Sequence, residues 1–277
     1  MELDEITYEK DNGVGEITLN RPDQLNPISA REGGTRDQIL WAIADAEQDP
    51  HVGSLLLKGA GKAFSAGGDL TGNARRETTA EQNEFLERSE RFHDRVRAAT
   101  LPIVAAVHGY CLGAALQLIA TCDFVIAAEG ARFGVPEGRI GLVGASPLVP
   151  VVGRQWAKFL ILTGELIGAE RAREIGLVLT VEPDDELVDR ARDLCRRLAR
   201  LPATAILLNK RAVDAIADAS GEAAGRLMGA ARDVITLSES PRATAPDGRS
   251  FRDIISEEGM EGLKAARAAQ YDAGWLR

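Results

Sequence analysis

Apolar residues alternate with polar ones in two short runs near the start of the chain, Ile6 and Tyr8, then Val14, Ile17 and Leu19. Asp11-Asn12-Gly13 joins them, and its residues tolerate positive φ, so the stretch predicts a β-hairpin. The period then changes. Ile39, Leu40, Ile43 and Ala46 recur at helical spacing within Thr35 to Gln48, and Asp49-Pro50 supplies a stop. Leu55 to Leu57, Ile103 to Val107 and Phe124 to Ala128 are continuous apolar runs bounded by Gly, Pro or Asp, the pattern of strands buried on both faces. Between the last two, Gly113 to Thr121 is rich in Ala and Leu and long enough for a short buried helix. Strand, helix and strand in this order make an α/β core.

Beyond Pro183-Asp184-Asp185 the pattern becomes one helix after another: Glu186 to Arg200, Pro202 to Ala217, and Glu222 to Leu237. Ser238 to Arg249 is polar and contains Pro241, Pro246 and Gly248, which predicts a loop, and a last helix is expected within Ile255 to Ala269. No fixed-period repeat and no low-complexity tract interrupts the chain.

With 277 residues, 45% of them apolar and 27% charged, the chain can bury one large core. A formal charge of −9 argues against a surface that tracks nucleic-acid phosphates. Cys111, Cys122 and Cys195 match neither a disulfide framework nor a CxxC pair, so a reducing compartment is the simpler reading. Met1 to Lys10 lacks the basic, apolar or Arg-rich features of a targeting segment, and no apolar run approaches bilayer length. A cytoplasmic protein with no membrane partner is expected.

Several familiar chemistries fail on inspection. Gly59-Ala60-Gly61-Lys62 is followed by Ala63, so it is not a phosphate loop. Gly144-Ala145-Ser146-Pro147-Leu148 ends in Leu where a nucleophile elbow needs Gly. His51, His93 and His108 show no paired ligand spacing, and no metal is expected. His108, at the end of a buried strand, reads as a packing residue, whereas His51 and His93 are expected to face solvent.

Two loops of small residues follow two of the buried strands. The first, Lys62 to Leu70, contains Gly67 and Gly68, which let a ligand approach main-chain N–H groups without a Cβ in the way. The second, His108 to Gln117, runs through Gly109, Gly113, Ala114 and Ala115 into a helix, whose N-terminus carries unpaired donors and partial positive charge. One N–H from each loop would hold an enolate oxygen, each contributing roughly 2.7–4 kcal/mol by analogy with oxyanion holes. Either loop alone reads as a tight turn that permits packing; their joint occurrence favours a site.

Over nearly its whole length the sequence resembles the crotonase superfamily, the enoyl-CoA hydratase/isomerase family. The matching stretches are Leu19-Asn20-Arg21-Pro22-Asp23-Gln24-Leu25-Asn26, Lys62 to Leu70, Pro102 to Asp123, Phe133-Gly134-Val135-Pro136-Glu137, and Leu162-Thr163-Gly164-Glu165 with Ala169 to Leu177. The resemblance implies an α/β fold, a crotonase-like spiral of ββα units over residues 1–200. It implies a C-terminal helical region, residues 201–277, that serves oligomer contacts and covers the active site, in a homotrimer or dimer of trimers. It implies an acyl-CoA thioester as substrate, with coenzyme A carried in by that substrate and no separate cofactor. By motif position it puts the oxyanion donors at the N–H groups of Gly68 and Ala114, and CoA contacts at Gln24, Leu25, Ala66, Asp69 and Leu70, with the Ala66 carbonyl meeting the adenine. Asp69 has an alternative reading as a helix cap.

Where the family carries two acid/base glutamates, this chain has Gln117 and Glu137. A glutamine can hold water or substrate but cannot take a proton. Glu137, flanked by Val135, Pro136 and a glycine, is expected to have its pKa raised by desolvation. One carboxylate suffices to move a proton between two carbons of an enoyl thioester, so double-bond isomerisation fits with nothing missing. Hydration would need Gln117 to orient the water. Thioester hydrolysis, decarboxylation and C–C cleavage share the same donors and stay open, as does a CoA-ester binding protein that has lost the chemistry. Gly144 to Leu148 departs from the family's helix start, Pro147 suits a first helical turn, and the acyl pocket near Leu142 and Val143 is expected to differ in shape. Arg139 reads as a structural salt bridge, with pairing to a polar acyl group as the alternative.

Overall fold

The computed structural model describes residues 2–69, 78–140, 148–221 and 243–269. The predicted hairpin is present as strands β1 (Ile6–Asp11) and β2 (Val14–Leu19), paired antiparallel from Ile6 with Leu19 to Asp11 with Val14. Its two-residue turn, Asn12 and Gly13, has positive φ at both positions, 48° and 83°, which matches the twist of the strands it joins. Parallel strands β3 (Ser54–Gly59), β4 (Ile103–Val107) and β6 (Phe124–Ala128) extend the sheet, and β9 (Thr180–Glu182) closes it in the order β1-β2-β3-β4-β6-β9.

The unbroken apolar runs of these strands are explained by cover on both faces. Leu55, Leu57, Ile103, Ala105 and Val107 point into the main core beside helix α1 (Thr35–Gln48). Their neighbours Leu56, Val104 and Ala106 point the other way, onto Leu187, Ala191 and Cys195 of helix α6 (Leu187–Ala199). Each fully buried Leu stabilises the fold by about 1.5–3 kcal/mol before entropy is counted.

A second sheet of three-residue strands, β5 (Tyr110–Leu112), β7 (Arg132–Gly134) and β8 (Leu166–Gly168), lies after the ends of the first. The chain alternates between sheets: β4, β5, then helix α3 (Ala114–Ile119); β6, β7, a short 3-10 helix (Pro136–Ile140), then helix α4 (Leu148–Thr163); β8, helix α5 (Ala169–Glu174), then β9. This is the ββα spiral. The segment after β3 follows the same course, joining the second sheet through a bridge between Ser65 and Cys111.

Helix α2 (Thr79–Arg97) was not anticipated. It opens with a capping box in which Glu81 N–H donates to Thr78 Oγ1 and Thr78 N–H donates to the Glu81 carboxylate. It buries Leu86, Phe92 and Val96, and with them His93, so the expectation that His93 faces solvent is corrected. Enclosure and the Arg36 charge push its pKa down to about 3. His51 is exposed, as expected.

In the C-terminal region the helix expected over Glu186 to Arg200 is α6, and that over Pro202 to Ala217 is α7 (Ala203–Ala219). Helix α7 buries none of its side chains and is tied to the core by Lys210 to Asp123 at 2.7 Å and Arg97 to Asp218 at 2.9 Å. The last helix, α8 (Phe251–Ala268), starts four residues before Ile255, because the Ser250 hydroxyl accepts from Asp253 N–H and sets the start there. Ala243 to Arg249 is non-helical, as expected. The helix expected over Glu222 to Leu237, the rest of the following loop, Leu70, and Leu142 to Pro147 lie outside the described residues. Among the described residues no helix is long and apolar enough to cross a membrane.

Candidate active site

The first loop is shaped from beneath by Asn26. Its side-chain amide donates to the carbonyls of Ala60 (2.8 Å), Ala63 (2.9 Å) and Phe64 (3.2 Å), and its Oδ1 accepts from Arg21 N–H. The loop then runs between two neighbours. On one side Ile28 N–H donates to Gly67 O at 2.8 Å and Asp69 N–H to Ile28 O at 3.1 Å. On the other, Ser65 N–H donates to Tyr110 O at 2.9 Å and Leu112 N–H to Ser65 O at 3.1 Å. The second loop is thereby hydrogen-bonded to the first.

This ladder fixes the direction of Gly68. Because Gly67 O and Asp69 N–H both face Ile28, the intervening Gly68 N–H faces away from it, and it meets no acceptor among the described residues. A Cβ at Gly68 would make only ordinary contact, 3.8 Å from Ala114 Cβ, so the side-chain position beside this N–H is open. Gly67 is held in by φ 108° and by Leu112 O, 2.8 Å from where its Cβ would stand.

Ala114 is the first residue of α3, and its N–H is one of the donors that a helix start leaves without an intrahelical partner. Gly113 before it has φ 51°, and its Cβ would overlap the Glu137 carboxylate, at 1.5 Å from Oε1. The missing side chain is the seat of that carboxylate. Gly113 N–H donates to Gly134 O at 2.9 Å, binding loop two to the strand that leads into Glu137. Gly138 packs with no room for a Cβ against Ile161 O of α4, which clamps the 3-10 helix from behind.

Burial pushes the Glu137 carboxyl up to about 7, against weaker opposing effects of its own backbone, the Arg267 charge and the Ala114 N–H. Its Oε2 is buried without a hydrogen-bond partner among the described residues. An acid half-ionised near neutral pH with one unoccupied oxygen is suited to take and return a proton. Gln117 lies one helical turn after Gly113 on the same face of α3, where its amide carries no hydrogen bond to a described residue.

The expected CoA residues gather at the mouth of loop one. Ala66, exposed, donates its N–H to Leu25 O at 2.8 Å, and Leu25 sits at φ 59°. Arg21 joins Gln24 and Asp69, donating to Gln24 Oε1 at 2.6 Å and Asp69 Oδ2 at 2.8 Å, with Glu5 3.7 Å away. The Asp69 carboxylate is thus held by an ion pair that is largely out of solvent. Arg21 and Asn26 were assigned no role on sequence grounds, although both lie inside the quoted Leu19 to Asn26 motif. Arg139 donates to Thr163 O at 2.7 Å and to Glu165 Oε1 at 3.1 Å, the structural ion pair expected of it. His108 Nε2 lies 2.9 Å from Gly61 O, as suits a packing residue.

The alternating two-sheet spiral is the crotonase fold. The chain matches the enoyl-CoA hydratase/isomerase family over residues 9–229 and belongs to it. The short-chain-enoyl-CoA hydratase of Clostridium acetobutylicum is 33% identical over 77% of this chain and 82% of its own length. A protein of Rhizobium meliloti named "Probable enoyl-CoA hydratase" is 31% identical over 98% of this chain and 99% of its own. The crystal structure of an enoyl-CoA hydratase/isomerase from Xanthobacter autotrophicus Py2 superposes with a TM-score of 0.90 at 31% identity, over 98% of this chain and 100% of that one. The chain is therefore an acyl-CoA enzyme of the hydratase/isomerase type.

Proposed function

We propose that this enzyme moves a proton within an enoyl-CoA ester, shifting its double bond, with Glu137 as the single acid/base group. The thioester oxygen is held by the N–H groups of Gly68 and Ala114. The Glu137 carboxylate removes a proton from C2 of a 3-enoyl-CoA, the charge delocalises onto that oxygen, and the protonated Glu137, whose proton exchanges with solvent during the intermediate's lifetime, delivers a proton to C4 to give the 2-enoyl-CoA. CoA lies along Gln24, Leu25, Ala66, Asp69 and Leu70, with the adenine at the Ala66 carbonyl. The observation that carries this reading is the seating of Glu137 in the place of a Gly113 side chain, beside the Ala114 N–H, with one oxygen unoccupied.

Gln117 is the reason for preferring isomerisation, since it supplies no second base. Hydration, the reaction named for many of the relatives, is the alternative, with Gln117 orienting the water. Supplying 3-enoyl- and 2-enoyl-CoA esters in heavy water separates the two by product mass. A shifted double bond with exchange supports isomerisation, and gain of water supports hydration. Binding with neither outcome would overturn the catalytic reading. A homotrimer or dimer of trimers is also proposed, supported by the exposed Leu208, Val213 and Ile216 on α7.

A further inference from the structure

Helix α8 packs against the 3-10 helix that carries Glu137 and Arg139, and Arg267 lies in its last turn. Arg267 is close enough for its charge to act on the Glu137 carboxylate and to feel the Arg139 guanidinium. It is half-buried, yet it makes no hydrogen bond or ion pair with any described residue. The two cations differ in this respect. Arg139 is satisfied by Glu165 and by Thr163 O. Glu137 does not neutralise Arg267 either, being beyond ion-pair distance and enclosed.

A partly desolvated guanidinium with no counter-charge among the described residues is costly, and an anionic ligand group offsets that cost. The geometry limits where such a group could come from. With Glu137 acting on the carbons next to the thioester, an acyl group that extends beyond it towards α8, which packs on the same 3-10 helix, would meet Arg267. The planar fork of arginine takes a carboxylate through two parallel N–H donors, which a methyl end cannot use.

We propose that Arg267 is a specificity-determining residue that recognises the far end of the acyl group, and that the preferred substrates are short enoyl-CoA esters ending in a carboxylate. This rests on the reading of Glu137 and the two loops as an enoyl-CoA site. The assignment also explains why α8 belongs to the catalytic architecture and not only to the periphery. The base and the donors decide what reaction occurs, and the last helix decides which acyl group is admitted.

The test compares ligands matched in chain length, one ending in a methyl and the other in a carboxylate. Valeryl-CoA and glutaryl-CoA serve for calorimetric binding without turnover, and 2-pentenoyl-CoA and glutaconyl-CoA for heavy-water exchange. The full-length enzyme is expected to bind glutaryl-CoA about tenfold to a hundredfold more tightly than valeryl-CoA. Arg267→Met removes that preference by weakening glutaryl-CoA alone, and Arg267→Lys keeps part of it. The ratio of two ligands on one sample is insensitive to the fraction of folded protein. Equal affinities in the unsubstituted enzyme, or an unchanged ratio in Arg267→Met, would overturn the proposal. If Arg267→Met binds neither ester, the unsubstituted enzyme and Arg267→Lys decide. Absence of exchange with both enoyl esters would instead overturn the proposed reaction, while the binding ratio still reports on Arg267.

Discussion

Replacing Glu137 by glutamine separates the chemical role of this side chain from its effect on folding. An ordinary glutamate titrates near 4.5, whereas enclosure brings Glu137 to about 7. Between these values the unfolded chain has released the proton and the folded chain keeps it. Folding stability from this group is therefore full below about 4.5 and is lost as the pH rises through about 7. The gap corresponds to about 3 kcal/mol once both states are ionised, which is a large part of a typical folding free energy. Glu137→Gln has nearly the same shape and no charge to bury. It is expected to be more stable than the unsubstituted enzyme by about 2–3 kcal/mol at pH 8 and indistinguishable from it near pH 4.5. Urea denaturation at the two pH values measures the difference. In the same variant, turnover of enoyl-CoA disappears while binding of a saturated CoA ester changes little, and in the unsubstituted enzyme kcat/KM rises with pH about a midpoint near 7. A variant whose stability shifts equally at both pH values, or one that still turns over, would refute the view of Glu137 as an enclosed base.

Gly113→Ala is expected to abolish turnover and to cost about 1–3 kcal/mol of stability in thermal melts, because the new Cβ occupies the carboxylate site and the backbone has positive φ. Arg21→Gln should raise KM for CoA esters more than it lowers kcat, and destabilise the fold by about 1–3 kcal/mol, since it releases both Gln24 and the enclosed Asp69. His93 titrates near 3 in the folded protein and near 6.5 when unfolded, so its stability contribution is present above 6.5 and lost as the pH falls towards 3. His93→Leu should accordingly hold its stability in mild acid better than the unsubstituted enzyme, by about 2 kcal/mol at pH 5 in urea titrations, relative to the difference at pH 8.

The elements legible in the sequence are those with strong local signals. Asn12-Gly13 announces its turn, and the unbroken runs of β3, β4 and β6 announce strands covered on both faces. Helix α2 was hidden because Leu86, Phe92 and Val96 are sparse among charged residues, and the same polar setting made His93 look like a surface residue. Strands β5, β7 and β8 are three residues each, too short for an alternation to declare itself. At the site, Gly68, Ala114, Gln117 and Glu137 were marked by motif position. The reason for Gly113, a carboxylate lying where its side chain would be, arises only when distant segments meet. The role proposed for Arg267 carries no local pattern at all, because it depends on the packing of α8 against the 3-10 helix of Glu137, far away in sequence.

The bonds from Ser65 to Tyr110 and Leu112 pair the two small-residue loops side by side through a single β-bridge. The spacing between the Gly68 and Ala114 amides is consequently inherited from backbone pairing, a stiff ruler, with the Asn26 amide bracing loop one from beneath. A change at Glu137, at Gln117 or in α8 leaves that ruler untouched. The chain can therefore diverge in what it accepts and in what it does with a proton while the distance between its two amides is passed on unaltered.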